Sequence, residues 1–161
     1  MIAVCNTSPI SSLIQIGHLP LLENLFTELC VPPEVDLELG EGVDFLGDWR
    51  TAPGAASIRT RPVQNRALLR DLSGRVHLGE AAAITLATEL DDAVLVIDDS
   101  SGRRIAATLG LRYTGTVGLL LASKRAGHVA RLAPLLEALR LRARFWISDD
   151  VVRRALEIAG E

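Results

Sequence analysis

Two adjacent aspartates, Asp98 and Asp99, are the residues of this sequence best placed to do chemistry. They follow Ala93 to Ile97, AVLVI, an apolar run rich in β-branched residues that predicts a central strand buried on both faces of a parallel sheet. In open α/β sheets, ligands bind outside the carboxyl ends of the strands. We therefore expect Asp98, at the edge of this strand, to belong to a functional site.

Asp99 also has a purely structural interpretation. Asp and Ser are favoured helix caps, and a helix is predicted to begin near Gly102, so Asp99 or Ser100 could cap it. The sequence alone leaves both roles of Asp99 open.

Polar residues at three other places are expected at the same edge of the sheet. Asn6 follows the first predicted strand, Glu38 lies in the helix after the second, and Glu80 opens the helix before the central strand. Parallel strands joined by right-handed crossovers have their carboxyl ends on one side, so these side chains can converge on Asp98. Their oxygen atoms suit Mg²⁺ or Mn²⁺. The pattern predicts a metal site in outline.

Two of these residues have alternative interpretations. A glutamate in the first turn of a helix, such as Glu80, is favoured by the helix dipole alone. Glu38 shares its helix with Glu34 and Asp36, and the three could form a solvated face. Residue chemistry does not decide between these interpretations and a site.

The cysteines and histidines show no spacing typical of a zinc site. Cys5 and Cys30 both lie in apolar runs that we interpret as strands, which predicts buried free thiols and not a disulfide. The candidate site is therefore expected to hold oxygen ligands.

Length and charge limit the class of protein. The chain has 161 residues, is 48% hydrophobic and carries a formal charge of −3, which predicts one domain over residues 1–161 with a sizeable core. No apolar run is long enough to cross a membrane and no leader pattern is present, so we expect a cytoplasmic protein without a membrane partner. The charge argues against a uniformly basic surface. However, all but one of the 17 basic residues are Arg, which binds phosphate well.

Strands and helices are predicted to alternate along the chain, which indicates an α/β fold. Ser8 is expected to cap a first helix beginning at Pro9, and Ser148 to cap the last helix. Residues 42–53, with the apolar anchors Phe45 and Trp49, are interpreted as an insertion. The predicted strands are 2–5, 29–31, 56–63, 93–97 and 111–114, and the predicted helices are 9–17, 19–26, 34–39, 64–72, 78–90, 102–109, 116–125, 132–141 and one beginning at 149.

Six segments occur together in an order typical of one protein family: CNTSPISSLIQIGHL, VPPEVDLEL, LGEAAAITLA, VIDDSSGRRIAATLGL, TGTVGLLLASKRAG and FWISDDVVRRALEIAGE. Within them, LGE, IDD, TGT and the ISD before the last helix form the specific combination. The chain thereby resembles the PIN domains, in the branch of VapC-like proteins known as domain of unknown function 3368. The resemblance covers nearly the whole chain and leaves residues 40–75 without landmarks.

This resemblance implies a PIN-like three-layer α/β/α sandwich with a central parallel sheet. It also implies an acidic cluster that binds Mg²⁺ or Mn²⁺ and hydrolyses RNA, often as the toxin of a toxin-antitoxin pair. The partners it implies are a single-stranded or looped RNA substrate, a cognate antitoxin protein and a second copy of the chain in a homodimer.

Carried over to this sequence, the catalytic positions of the family fall on Asn6, Glu38, Glu80 and Asp98. Asp98, Glu80 and the neutral Asn6 are expected to bind metal, whereas Glu38 holds a second ion or orients water. Supporting polar groups are expected at Thr7, Ser8, Asp99 and Thr116, with Thr116 near the rim of the cavity. The arginines expected to contact RNA phosphates are Arg103, Arg104 and Arg125.

Two departures from the family pattern bear on activity. PIN nucleases usually carry Asp after the first strand, whereas this chain has Asn6, which keeps an oxygen ligand but no charge. Ala82 stands where relatives in this branch often have another Glu. The site is therefore leaner in negative charge than a typical PIN centre.

Other functions remain as alternatives. Asn6 is also consistent with a PIN-fold protein that binds nucleic acid or regulates without turnover. A receiver-like phosphoacceptor uses paired aspartates at a strand end, but the sole lysine, Lys124, lies in a helix and not after the last strand. A dehalogenase-type phosphotransferase needs Asp-x-Asp after its first strand, where this chain has Cys5, Asn6 and Thr7. We rank the receiver-like and dehalogenase-type interpretations well below a PIN protein.

Overall fold

A parallel sheet organises the computed structural model, which describes residues 1–42 and 46–161. The strands are β1 (Ile2–Cys5), β2 (Glu28–Val31), β3 (Ile58–Thr60), β4 (Ala93–Val96) and β5 (Arg112–Thr114). They form a five-stranded sheet in the order β3-β2-β1-β4-β5, and every neighbouring pair is parallel. The middle strand is β1, with β4 beside it, whereas the sequence suggested the strand before Asp98 as the centre.

Helices flank the sheet and complete the predicted α/β/α sandwich. In the described residues they are α1 (Thr7–Gln15), α2 (Leu21–Leu25), α3 (Pro33–Glu41), α4 (Arg66–Ser73), α5 (Leu78–Thr88), α6 (Ser100–Thr108), α7 (Thr116–Arg125), α8 (Ala133–Leu141) and α9 (Asp149–Ala159). None of these helices has the length and apolar character needed to cross a membrane.

The register of the strands sets polar residues side by side. Cys5 pairs with Val96, and Val96 pairs with Thr114, so β1, β4 and β5 end at the same level. The amide of Asn6 continues the ladder by donating to the carbonyl of Val96 over 3.0 Å. As a result, the residues that follow these three strands emerge at one edge of the sheet.

Helix α5 is buried along almost its whole length, because its residues from Ala81 to Ala87 are apolar apart from Thr85, and four of them are alanines. Small alanine side chains let the helix lie close to its neighbours α3, α4 and β4. This packing fixes the first turn of α5, and Glu80 with it, at the edge where the strands end.

Several predicted boundaries change. Helix α1 begins at Thr7 with Asn6 as its N-cap residue, not at Pro9 with Ser8 as the cap. Pro9 still falls in the first turn, where a missing N–H breaks no helical hydrogen bond. The predicted strand 56–63 shortens to β3, since Ala55–Ser57 forms a 3₁₀ turn and Pro62 cannot donate to the ladder. Ser148 caps α9 as predicted, by accepting from the amide of Val151 over 3.3 Å.

The predicted insertion at 42–53 is anchored by Trp49, which is 2% exposed. The guanidinium of Arg50 lies 4.0 Å from the centre of the Trp49 ring and pairs with Asp36 of α3 over 2.8 Å. Phe45, the other predicted anchor, lies outside the described residues.

The two cysteines are free and buried, as predicted. Burial raises the pKa of Cys5 and raises the pKa of Cys30 to about 11. Neither thiol has the depressed pKa of a reactive cysteine.

Candidate active site

A cavity of about 770 Å³ lies where the strands end. The ends of β1 and β4 bring Asn6 and Asp98 to its wall, and α3 and α5 bring Glu38 and Glu80. The structure thus gathers the four residues of the predicted acidic site around one cavity. Of the predicted supporting residues, the cavity is also lined by Thr7, Ser8 and Asp99.

Asp98 is largely enclosed at the cavity wall, with a side chain that is 11% exposed. Thr116 donates twice to it, from the amide to Oδ1 over 2.8 Å and from the hydroxyl to Oδ2 over 2.7 Å. Burial raises the pKa of Asp98, while the Thr116 donors, Arg103 and the Ser8 hydroxyl act in the opposite direction. Thr116 is completely buried behind Asp98, so its predicted place at the rim is wrong.

Arg103 is engaged within the protein. Its Nε donates to the carbonyl of Ile97 over 2.9 Å, and its guanidinium lies 3.8 Å from Oδ1 of Asp98. This arginine therefore positions the end of β4 instead of standing free for phosphate. Arg125 occupies the last turn of α7, about 14 Å along the helix from Thr116, at the end remote from the site.

Glu38 makes different contacts from the other two acidic residues near it in α3. It accepts from the hydroxyl of Thr7 and, over 3.0 Å, from the amide of Gly79. Glu34 and Asp36 form ion pairs with arginines instead, Glu34 with Arg66 over 3.6 Å. Glu38 therefore belongs to the cavity and not to a solvated face of α3.

The glycines of LGE and TGT leave room for carboxylates to approach the backbone. A Cβ on Gly79 would lie 2.6 Å from Cδ of Glu38. A Cβ on Gly115 would lie 2.7 Å from Oδ1 of Asp98 and closer still to the Arg103 guanidinium. Sequence reasoning missed both roles, although glycine in the first turn of the otherwise alanine-rich α5 was the available signal.

The carboxylates of Glu80 and Asp99 repel each other electrostatically. Burial raises the pKa of the half-buried Glu80, and the negative charges of Asp99 and Glu38 raise it further. Asp99 caps α6 by accepting from the amides of Ser101 and Gly102 over 2.7 and 3.1 Å. The capping interpretation of Asp99 is confirmed, and the same carboxylate lines the cavity.

Asn6 carries a polar atom that lacks a partner. The residue is 4% exposed, its buried Oδ1 has no hydrogen-bond partner among residues 1–42 and 46–161, and its side chain makes no capping bond to α1. Leaving a buried acceptor unsatisfied costs free energy. This oxygen therefore lacks a partner that a cation at the cavity wall would supply.

These residues fit a hard divalent cation in donor type. The orphaned Asn6 Oδ1 and the crowded charges around Glu80 would both be satisfied by a cation. Within residues 1–42 and 46–161, no three His, Cys, Asp or Glu side chains stand close enough to hold one ion together. Mg²⁺ needs only one or two carboxylates when waters and phosphate oxygens complete its shell. The site fits such an open centre, and not a closed cage.

Further lining residues had no assigned role from the sequence. They comprise the polar face of α1, His77 before α5, and a segment between α8 and α9, namely Ser11, Ser12, Gln15, His77 and residues 143–146. The α1 residues recur at helical spacing, so the pattern was visible once the start of the helix was known.

An all-parallel sandwich with acidic side chains at its strand ends defines an α/β protein whose ligand site lies at the carboxyl edge of the sheet. The sequence model of one family, domain of unknown function 3368, described as a PIN domain, matches residues 2–161. The chain belongs to the PIN-domain family, as its motifs predicted. PIN domains are generally nucleases that depend on divalent metal ions. Comparisons with curated proteins and with solved structures give no match.

Proposed function

We propose that this protein is a Mg²⁺- or Mn²⁺-dependent endoribonuclease that cleaves single-stranded or looped RNA. One observation carries the proposal: in a PIN domain, Asn6, Glu38, Glu80 and Asp98 line a single cavity at the carboxyl edge of the sheet. Their roles are part of the proposal.

Each side chain has a task that follows from its contacts. Asp98, held in one orientation by Thr116, is a metal ligand together with Glu80 and the free oxygen of Asn6. Glu38, which Thr7 and the amide of Gly79 fix in place, orients water or a second ion. A divalent ion bound there lowers the pKa of a water ligand and stabilises charge on the phosphate.

A second candidate is a PIN-fold protein that binds nucleic acid without turnover. Asn6 favours it, because an amide brings no charge to the site, and so does the lack of three clustered carboxylates in the described residues. Membership of the PIN family replaces the receiver-like and phosphotransferase alternatives.

The proposal extends to the biological setting. It treats residues 1–161 as one domain, acting in the cytoplasm as a homodimer and as the toxin partner of a cognate antitoxin. Coverage of residues 2–161 by the family model supports the single domain. The resemblance of the motifs to VapC-like proteins supports the other points.

Cleavage of labelled single-stranded RNA by the purified protein tests the proposal. We expect cleavage in Mg²⁺ or Mn²⁺, none in excess chelator, and none for Asp98→Asn with an unchanged circular dichroism spectrum. Asp71→Asn is a matched control, because Asp71 is exposed on α4 and makes no ion pair in the described part of the chain. Equal cleavage in chelator would exclude this chemistry, and an inactive wild type would favour the binding protein.

A further inference from the structure

Trp146 stands at the rim of the acidic cavity with 86% of its surface exposed. The chain has two tryptophans, and the other, Trp49, is buried. An exposed indole gives up a large hydrophobic stabilisation, so its position beside the site calls for a ligand that uses the ring.

The backbone holds Trp146 firmly on both sides. The amide of Phe145 donates to the carbonyl of Leu139 over 3.0 Å, and the carbonyl of Ile147 accepts from Arg140 over 2.6 Å. Ile147 is buried, and Phe145 packs against the core. The indole is therefore presented from an anchored segment.

The cavity wall beside the carboxylates is uncharged and polar. It is built from one face of α1, where Ser8, Ser11, Ser12 and Gln15 line the cavity. The amide of Gln15 donates to the hydroxyl of Ser11 over 3.1 Å, so both groups are held at the wall. Hydroxyl and amide groups match the sugar hydroxyls and base edges of a nucleotide.

Two further hollows connect the carboxylates with positively charged side chains. A hollow of about 350 Å³ shares His77, Glu80 and Asp99 with the main cavity and extends to Arg75 and Ser101. A second hollow of about 320 Å³ is lined by Arg75, Ser101 and Arg104.

The two arginines at this end are available for a ligand. Both are exposed, and within the described ranges neither pairs with an acidic side chain, whereas Arg103 beside them contacts Asp98. Within the described part of the chain, the one hydrogen bond of the Arg104 side chain is a long one, 3.3 Å to the hydroxyl of Ser101.

We propose that one RNA strand lies along this surface, with a base stacked on Trp146 and with backbone phosphates bound by Arg75 and Arg104 across the carboxylates. The substrate class rests on the function proposed above. In this arrangement the aromatic ring binds a base and the polar wall binds the sugar. The carboxylates face the scissile phosphate, and the free guanidinium groups bind the neighbouring phosphates. Arg104 keeps its predicted role, and Arg75 takes the place of Arg103 and Arg125.

Binding of a fluorescently labelled single-stranded RNA oligonucleotide tests the two ends separately. Anisotropy is measured in excess chelator, and again with Asp98→Asn protein in Mg²⁺. Trp146→Ala should weaken binding roughly 5- to 150-fold, the range of a lost base stack, and Trp146→Phe should keep most of the affinity. The slope of log affinity against log salt should be the same for Trp146→Ala and the parent protein.

Arg75→Ala and Arg104→Ala should each reduce that slope by about 0.7, as expected for one lost phosphate contact to a single strand. Arg125→Ala is the matched control, an exposed arginine at the remote end of α7, and should leave the slope unchanged. An oligonucleotide with abasic sites should lose the difference between Trp146→Ala and the parent protein.

The strand path is wrong if Trp146→Ala binds RNA with wild-type affinity, or if Arg125→Ala lowers the salt slope as much as the other two arginine variants do. Wild-type affinity of Trp146→Ala would instead indicate that Trp146 contacts a protein partner. The readout is binding, so the path and the nuclease activity can fail separately. A protein that shows the binding pattern but never cleaves RNA keeps the path and loses the nuclease. One that cleaves RNA while these variants bind normally keeps the nuclease alone.

Discussion

Thr116 supplies two hydrogen bonds to the Asp98 carboxylate, its amide serving Oδ1 and its hydroxyl Oδ2. The two residues follow neighbouring strands, and both are withdrawn from solvent. The donors favour the charged carboxylate, yet burial outweighs them, so the pKa of Asp98 lies above its usual value. The Asp98 carboxylate therefore takes up a proton more readily than an exposed aspartate does.

Asp98→Asn should stabilise the metal-free protein at neutral pH. Because the pKa of Asp98 is higher in the folded than in the unfolded chain, the folded state binds the proton more tightly. Its contribution to stability is complete below the unfolded pKa and is lost as pH rises through the folded pKa. The amide that replaces the carboxylate does not titrate, so this loss of stability with pH disappears. Its NH₂ group can donate to the hydroxyl oxygen of Thr116.

Urea unfolding from pH 4 to pH 8 in excess chelator measures this effect. The fall in unfolding free energy with pH should be shallower in Asp98→Asn, and Glu80, whose pKa is also raised, should contribute to the fall that remains. Asp71→Asn should follow the wild type. Parallel curves for Asp98→Asn and wild type would show that Asp98 titrates normally.

Gly79→Ala should damage the protein although alanine is the better helix former. The new Cβ would collide with the Glu38 carboxyl, and overpacking of this kind costs about 1–3 kcal/mol. Gly40→Ala is the matched control, because Gly40 lies in α3 and a Cβ added there would meet none of the described residues within 4 Å. It should gain roughly 0.5–1 kcal/mol.

Denaturant unfolding of the two glycine variants gives the comparison, together with RNA cleavage where the wild type is active. Opposite signs of the stability change are expected. Gain of stability in both would mean that Glu38 is not held against the amide of Gly79.

Asn6→Asp should tighten Mn²⁺ binding, because a carboxylate adds a negative charge beside the ion in a largely buried position. The metal-free protein should lose stability, on the order of 1–3 kcal/mol. The new charge would be buried without a partner and close to the negative charges of Glu80 and Asp98. Cleavage should rise at limiting Mg²⁺ and converge with the wild-type rate at saturation.

Calorimetric Mn²⁺ titration of both proteins checks the first effect, and thermal unfolding in chelator checks the second. Asn6→Ser is a useful control, as a small polar side chain without a carboxylate. Equal Mn²⁺ affinity of Asn6→Asp and wild type would place residue 6 away from the ion.

Asp99→Ser should separate the two roles of Asp99. Serine keeps a cap for α6, so stability should stay near that of the wild type, whereas Asp99→Ala should lose about 1 kcal/mol. Removing the charge should lower the pKa of Glu80 in both variants, since Asp99 is its main charged neighbour. The acidic limb of the pH-rate profile should move to lower pH in Asp99→Ser, and an unmoved limb would exclude Glu80 as the group that controls it.

Sequence reasoning located the strand ends but not the contacts made there. The apolar run before Asp98 and the short run before Asn6 predict strands because their composition suits burial on both faces. The hydrogen bonds from Thr116 to Asp98 depend on the registers of β1, β4 and β5, and no local sequence pattern predicts these registers. Tertiary packing sets such contacts.

Exposure was the second quantity that the sequence did not predict. Residues 145–147, FWI, are an apolar stretch, yet Ile147 turns inward and Trp146 outward. The engagement of Arg103, beside the free Arg104, is equally invisible in an Arg-Arg pair. Neighbours from distant parts of the chain decide both cases.

The two outer strands limit how copies of this protein can associate. β3 and β5 have three residues each, and each exposes an arginine, Arg59 or Arg112. Short, charged outer strands offer few backbone groups to a strand from another molecule, so extension of the sheet between copies is disfavoured. A second copy of this chain would then associate through side chains of helices and loops, and growth into cross-strand aggregates is disfavoured.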